Sequence, residues 1–208
     1  TVRDSAALLA ATENPVNRAG YPPVGLVEGP AKGRLRIAVS AENSFGEQPE
    51  ASVLAALNET IKLCESLGHE IIIVPNPVSG EHMFPAAEGI MLAPLPTLLA
   101  QVESMMGKQA EETGLLTNAT IDMARYSQGL SKNAQQKGIE YFLQLTRDFE
   151  SFFETYDMWL TPTIPIEAPV NGYISHDTDF DLALRRNRQL LGYTMIANGI
   201  GAPAMSVP

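Results

Sequence analysis

Cysteine and histidine are scarce in this 208-residue chain. Cys64 is the one cysteine, which excludes a disulfide within the chain, and its place on an apolar helical stripe predicts a buried thiol. The histidines His69, His82 and His176 lie far apart, with no paired cysteines and no carboxylate–histidine cluster near them. We therefore expect no metal site, and we expect His69 to lie at the edge of a strand.

Basic residues are also few. The chain has 14 lysines and arginines against 24 acidic residues, and its formal net charge is -10. The electrostatic field of this negative charge repels the phosphates of nucleic acids and anionic lipid headgroups, so we expect neither nucleic acid nor membrane as a partner. The densest basic cluster, formed by Arg185, Arg186 and Arg188, lies in a helix-like stretch and is interpreted as a solvated face without a partner.

Long hydrophobic runs are absent too. No uninterrupted apolar run approaches the roughly 20 residues that cross a bilayer. The first residues, Thr1-Val2-Arg3-Asp4, lack the apolar region of a secretory signal. Together with the single cysteine, this makes a cytoplasmic location the simplest expectation.

The common catalytic motifs are missing. The stretch 40–49 contains a single glycine, Gly46, which excludes a glycine-rich loop that binds phosphate. The Gly-x-Ser-x-Gly motif of a serine nucleophile does not occur. The acidic groups are better explained by solvated loops and helix N-termini than by acid–base catalysis. These groups are Glu111 and Glu112, and Asp177, Asp179 and Asp181. The chain alone thus shows no catalytic constellation.

A β-α-β unit over about 34–75 is the clearest local pattern. Residues 35–39 form an apolar strand, Pro49 suits the first position of a helix ending near Leu67, and Gly68 stops that helix. The run 71–74 is apolar throughout, which predicts a strand covered on both faces. We therefore predict an α/β fold with a mainly parallel sheet and helices on both sides.

The other elements are less regular. We predict a short helix over 2–9, a loop over 14–33, and a helical segment over about 84–156. In that segment Pro85, Pro94 and Pro96 should divide 84–106 into two helices, and a long amphipathic helix should cover 133–156. Over 157–208 we expect a strand, a proline-rich turn, a helix at 180–197 and the start of a strand at 201–208. A terminus inside an apolar strand leads us to expect a truncated chain.

Three segments at this spacing resemble the amidase-signature family. They are Thr1-Val2-Arg3-Asp4-Ser5-Ala6, Tyr156-Asp157-Met158-Trp159-Leu160-Thr161-Pro162-Thr163, and Asn198-Gly199-x-Gly201-x-Pro203-Ala204-x-Ser206-x-Pro208. The resemblance implies one partial amidase domain over 1–208, with a mixed sheet wrapped by helices and no cofactor. It also implies a serine nucleophile, a second serine in a cis peptide bond and a lysine, in a segment preceding Thr1. The fragment alone is then expected to be inactive.

The resemblance also indicates where substrate would lie. Turns carrying Thr161, Thr163 and Pro165, and carrying Asn198 and Gly201, resemble segments near the substrate cleft of the family. Three further candidates for the cleft wall are Phe142, Trp159 and Tyr193, for which core packing is the alternative. Some members of the family carry an arginine where Phe142 aligns. The absence of this arginine favours a less polar amide as the substrate.

We therefore interpret the chain as part of an amidase that hydrolyses a carbon–nitrogen amide bond of a small molecule. One alternative is an α/β module that binds a small molecule, and another is a regulatory subunit that keeps the fold without the nucleophile. Assembly as a homo-oligomer or with a completing chain stays open.

Overall fold

The computed structural model describes residues 1–13, 23–30, 33–175 and 178–207. Much of the predicted loop over 14–33, together with His176, Asp177 and Pro208, lies outside these ranges. The chain forms two compact units, one of Thr1–Arg34 with Met205–Pro208 and one of Leu35–Ala204. Nothing in these units tests the prediction of a single partial domain over 1–208, which stays a prediction.

The first unit begins with helix α1, Val2–Thr12. A capping box starts it, in which the Thr1 hydroxyl accepts the Asp4 N–H at 3.3 Å. The predicted helix over 2–9 is confirmed and extends three residues further. After the helix, the Glu13 carboxylate accepts the N–H groups of Val24 and Gly25, at 2.5 and 2.9 Å, and these hydrogen bonds lower its pKa.

The second unit contains a three-stranded parallel sheet. Its strands are β1, Arg36–Val39; β2, Glu70–Ile73; and β3, Met158–Leu160, in the order β2-β1-β3. Helix α2, Ala51–Ser66, packs Leu57 on Ile37 and Val39. On the other face, Trp159 pairs in register with Ala38 and packs against the core cluster that contains Phe149. The predicted α/β class, with helices on both sides of a parallel sheet, is confirmed.

Helices α3, Gly80–Met91, and α7, Ala134–Thr155, form the largest core cluster. Glycine allows them to approach closely. A Cβ on Gly138 would lie 2.3 Å from the Ala86 carbonyl oxygen, and one on Gly89 would lie 2.6 Å from that of Ala134. The long helix predicted over 133–156 is confirmed to within one residue at each end.

The other helices of this unit are shorter. They are α4, Leu95–Met106; α5, Ala110–Thr113; α6, Asn118–Gln128; α8, Phe180–Leu190; and α9, Met195–Ile200. Leu99, Ala110 and Ile121 join α4, α5 and α6 in a second cluster. Both α5 and α6 lie within the helical segment predicted over about 84–156, in which their separate bounds were not predicted.

The stretch Gly80–Met106 is long and apolar enough for a membrane span by length and composition. It is divided at Pro94, the N-cap of α4, as the sequence predicted. Pro85 does not divide it further and lies inside α3. Since Met83 and Phe84 are buried in the core cluster, we interpret α3 as a core helix, whereas α4 is largely exposed and buries only Leu99.

Two expectations about the β-α-β unit are wrong. Helix α2 starts at Ala51 rather than Pro49, because the N–H of Glu50 donates to the Pro165 carbonyl at 2.8 Å and Glu50 stays extended. Strand β2 was expected to be covered on both faces, but Ile73 is 69% exposed. In the described sheet β2 is an edge strand, so its end extends beyond the helices.

Two expectations at the C-terminal end also fail. The single helix predicted over 180–197 is interrupted by a turn at 191–194, because Tyr193 is buried there and the Gly192 carbonyl accepts the Ser44 N–H. Residues 202–207 form no strand. Pro203 has no N–H to donate to a sheet, which weakens strand pairing at this point.

Replacing Gly138 with alanine should destabilise the protein, although alanine is the better helix former by about 1 kcal/mol. The added Cβ would meet the Ala86 carbonyl, so α3 and α7 must separate, at a net cost of about 2 kcal/mol. Chemical denaturation measures this loss.

The matched control is Gly29→Ala, since nothing lies within 4 Å of a Cβ at that position. Its free energy of unfolding should stay close to that of the unmodified protein. A Gly138→Ala protein that is as stable as this control would contradict the close approach of the two helices.

Candidate functional site

The carboxyl ends of the three parallel strands lie at one edge of the sheet. The segments 40–50, 74–79 and 161–175 follow β1, β2 and β3 at this edge. In open sheets with parallel strands, ligands bind in the crevice outside the carboxyl ends. We therefore take this edge, hereafter the carboxyl edge, as the candidate functional site.

Asn43 organises the segment 40–50, which we call the β1 loop. Its side chain is fully buried, and its Oδ1 accepts the N–H groups of Phe45 and Glu47 at 2.9 and 3.1 Å. Its Nδ2 donates to Glu47 Oε2 at 3.0 Å. The β1 loop is therefore fixed by its own hydrogen bonds.

The two other strand-end segments bind to the β1 loop. Asn76 Nδ2 donates to the Glu42 carbonyl at 3.3 Å, and the Glu50 N–H donates to the Pro165 carbonyl at 2.8 Å. At the start of α3, the Gly80 N–H donates to the Ser44 carbonyl at 2.7 Å. The β1 loop is thus the centre of the carboxyl edge.

The turn 191–194 binds the β1 loop from the other side. The Ser44 N–H donates to the Gly192 carbonyl at 3.2 Å, and a Cβ on Gly192 would lie 3.1 Å from Asn43 Cβ. The Tyr193 hydroxyl donates to the Ala41 carbonyl at 2.7 Å. This contact brings Tyr193, a predicted wall residue, to the candidate site.

Burial raises the pKa of Tyr193 to about 12, and the negative charges of Glu42 and Glu47 add to the shift. The phenol is therefore neutral at ordinary pH. It acts as a hydrogen-bond donor to the loop and is poorly suited to be a base.

Two buried serines lie at the same edge. Ser40 Oγ donates to the Val74 carbonyl at 3.0 Å and accepts the Trp159 Nε1–H at 2.9 Å. Ser44 is 6% exposed, and its Oγ has no hydrogen-bond partner among the residues that the structure describes. Neither hydroxyl has a histidine or lysine partner in the described contacts, so neither has the base that a serine nucleophile needs.

The residues predicted from the proline-rich turn lie in the segment after β3. Pro165 is buried and Thr163 is exposed. Thr161 Oγ1 donates to the Pro162 carbonyl at 3.0 Å. Contact of these residues with substrate stays a prediction.

The aromatic candidates Trp159 and Phe142 pack in the core. The Trp159 ring lies 5.4 Å from that of Phe149, and Phe142 is 9% exposed. Phe142 covers Gly199 of α9 so closely that a Cβ there would lie 2.1 Å from its Cε1 atom. For these two residues the core-packing alternative describes the contacts observed.

Asn198 and Gly201 lie at the end of α9. Asn198 is exposed, and Gly201 ends the helix with φ of 68°, in the left-handed region that favours glycine. Their part in a cleft also stays a prediction.

Sequence reasoning missed a partly buried ion pair behind this site. Arg188 donates through Nε and Nη2 to Glu88 Oε1 at 3.0 and 2.6 Å, and the Tyr126 hydroxyl donates to Glu88 Oε2 at 2.9 Å. The expectation of a solvated arginine cluster is therefore wrong for Arg188. The signal available was Glu88 itself, a charged residue in an apolar helical run, which needs a partner when buried.

A concave region of the second unit is lined by residues outside the carboxyl edge. This depression of about 670 Å³ is lined by Asn118, Asp122, Tyr126 and residues 178–181, and by none of the predicted wall residues. Asp179 accepts the Leu182 N–H at 3.0 Å as the cap of α8, so helix capping accounts for it. The depression therefore has less support as a site than the carboxyl edge.

Comparison with known proteins identifies relatives along the whole chain. The family model "Amidase" matches residues 1–208. AmiC of Mycobacterium tuberculosis (strain ATCC 25618 / H37Rv), named as a candidate amidase, is 34% identical over 218 residues, covering 100% of this chain and 43% of its own length. A glutamyl-tRNA(Gln) amidotransferase subunit of Neisseria meningitidis serogroup B is 29% identical, covering 86% of this chain and 39% of its own length.

Solved structures show the same fold. 6-Aminohexanoate cyclic dimer hydrolase superposes with a TM-score of 0.69 at 19% identity, covering 97% of this chain and 44% of that one. A bacterial aryl acylamidase of the amidase-signature family superposes with a TM-score of 0.55 at 16% identity. The match covers 84% of this chain and 38% of that one. The chain spans less than half the length of the curated relatives it matches.

The raised pKa of Tyr193 predicts a pH-dependent stability. Its phenol would ionise near pH 10 in the unfolded chain and near 12 in the folded one. The stability held by the neutral phenol is fully present below pH 10 and is lost as the pH rises towards 12.

Chemical denaturation of the unmodified protein and of Tyr193→Phe at pH 9 and pH 11 tests this. Between these values the unmodified protein should lose about 1 kcal/mol more than the variant. At pH 9 the variant should be the less stable by about 1 kcal/mol, because the Ala41 carbonyl loses its donor. Parallel pH profiles would contradict the burial of this phenol.

Proposed function

The chain belongs to the amidase family, and on this premise we propose that the protein containing it hydrolyses a carbon–nitrogen amide bond of a small molecule. The observation that carries the proposal is the family match over residues 1–208. The convergence of three strand-end segments at the carboxyl edge supports it, because such an edge is where parallel sheets bind ligands.

We propose a serine acyl-enzyme whose nucleophile lies outside these 208 residues. Acyl transfer needs a serine with a base within hydrogen-bonding distance. The buried hydroxyls at the carboxyl edge, Ser40 and Ser44, have no such base in the described structure. Residues 1–208 alone should therefore not turn over an amide.

In this proposal the chain supplies part of the substrate-binding wall. The segment with Thr161, Thr163 and Pro165 would form one side, and Tyr193 with the end of α9 the other. Asn198 and Gly201 would then border the leaving or acyl group. Hydrogen bonds from Tyr193 and Glu50 to neighbouring segments hold these parts against the β1 loop.

The substrate is a neutral amide in this proposal. The four segments at the edge, 40–50, 74–79, 161–175 and 191–204, contain Glu42, Glu47, Glu50 and Glu167 and no lysine, arginine or histidine. A carboxylate on the substrate would meet these like charges without a counterion from within the four segments, although Arg186 of α8 binds the Tyr173 carbonyl and ring.

The test is an assay of the full-length protein on a panel of small amides, followed by labelling of the free nucleophile with a serine-directed sulfonyl fluoride, which sulfonylates the serine hydroxyl and releases fluoride. We expect release of ammonia or amine, and loss of activity with one covalent adduct. Peptide mapping should locate that adduct on a serine outside residues 1–208. An adduct on Ser40 or Ser44, or full activity of the isolated 208 residues, would contradict the assignment.

Substrate charge provides a separate prediction. A neutral amide should be hydrolysed with a kcat/KM about tenfold or more above that of an isosteric analogue bearing a carboxylate. Replacing Glu47 with glutamine should narrow this gap by raising turnover of the charged analogue, since glutamine can still accept from Asn43 Nδ2. Equal turnover of both amides would show that the carboxyl edge does not select by charge.

A further inference from the structure

Helix α8 is held to the protein mainly by polar groups. None of its residues is buried. Arg186 donates to the Tyr173 carbonyl and its guanidinium lies 4.2 Å from the centre of the Tyr173 ring. The Tyr173 hydroxyl donates to Gln189 Oε1 at 3.3 Å. Phe180 also meets the Tyr126 ring, with centres 5.5 Å apart, but no residue of the helix is fully buried, so the polar contacts contribute to its position.

A further polar contact of α8 is the pair of Arg188 with Glu88. The Glu88 side chain is 11% exposed and that of Arg188 is 32% exposed. Glu88 Oε1 takes both guanidinium hydrogen bonds, and Oε2 takes the Tyr126 hydroxyl. Both carboxylate oxygens are therefore satisfied, and α8 is joined to α3 and α6 at one point.

The chain reaches the candidate site immediately after this point. Gly192 lies four residues beyond Arg188, and its carbonyl accepts the Ser44 N–H of the β1 loop. Tyr193 follows and donates to the Ala41 carbonyl of the same loop. A shift of α8 would therefore move two of the contacts that hold the β1 loop.

Helix α3 contacts the same part of the β1 loop. The Gly80 N–H donates to the Ser44 carbonyl at 2.7 Å, and the Phe84 ring stacks on Phe45 with centres 5.3 Å apart. Glu88 lies one turn further along α3. One helix thus supports the β1 loop directly through its first turns and indirectly through Arg188 and the turn 191–194.

We propose that Arg188 is a positioning residue for the carboxyl edge, and that its pair with Glu88 sets where the turn 191–194 meets the β1 loop. This inference rests on the proposed function, since it concerns the wall of the same site. Arginine suits the role because its planar fork fixes direction as well as distance, whereas the lysine ammonium is a point charge on a flexible stem.

The test uses the full-length protein with a neutral amide substrate. Arg188→Met should raise KM several-fold and lower kcat/KM by about ten- to a hundredfold, because small misplacements in a site are costly. The KM and kcat/KM of Arg188→Lys should lie between those of the unmodified protein and those of Arg188→Met. Arg185→Met is the matched control, since Arg185 is exposed on the same helix, and it should leave both constants unchanged.

A double variant separates position from stability. Arg188→Met alone leaves the Glu88 charge buried without its counterion and should lower the melting temperature. Glu88→Gln combined with Arg188→Met removes both charges. Most of the loss in melting temperature should then be recovered, while KM stays raised. Loss of folded protein would instead lower the apparent kcat and leave KM unchanged. A double variant with the kinetic constants of the unmodified protein would overturn the proposal.

Hydrogen exchange gives a readout that does not depend on turnover. Backbone amides of 189–201 should exchange faster in the double variant than in the Arg185→Met control, while those of α7 stay protected. If the unmodified protein hydrolyses no amide, the proposed function fails and this exchange alone decides the present inference. Equal exchange of 189–201 in the two proteins would overturn it.

Discussion

The close contact of α3 with α7 is the constraint on which the rest of the second unit depends. Gly138 and Gly89 bring the two backbones together, because a Cβ at either position would overlap a carbonyl oxygen of the other helix. With α3 fixed in this way, its first turns support the β1 loop and its Glu88 side chain receives Arg188. The packing of two core helices thus determines where the strand-end segments lie.

Apolar and polar contacts hold different parts of the second unit. The sheet and α3, α7 and α9 are held by buried side chains such as Val39, Met83 and Ile196. The segments at the carboxyl edge are held by hydrogen bonds to backbone groups, with Asn43 and Tyr193 as the main side chains. Apolar burial is non-directional and holds the core together, whereas hydrogen bonds are directional and fix the orientation of the loops.

Local signals predicted much of this fold, and long-range contacts explain what was missed. The end of α2 was predictable because Gly68 takes the left-handed conformation, with φ of 87°, that stops a helix. The break between α8 and α9 was not, because it depends on the fit of Gly192 against the distant Asn43. Arg188 looked solvated because its partner lies 100 residues away in sequence. The wall residues came from a family resemblance, and of these Tyr193 is tied to the β1 loop through the Ala41 carbonyl.

The most direct test is a crystal structure of the full-length protein with a non-hydrolysable neutral amide analogue bound. We expect the analogue to lie at the carboxyl edge, within contact distance of the segment 161–165 and of the turn that carries Tyr193. A serine from outside residues 1–208 should face its carbonyl carbon. An analogue bound in the depression beside Asp122 and Phe180, or at any site remote from the β1 loop, would contradict the account.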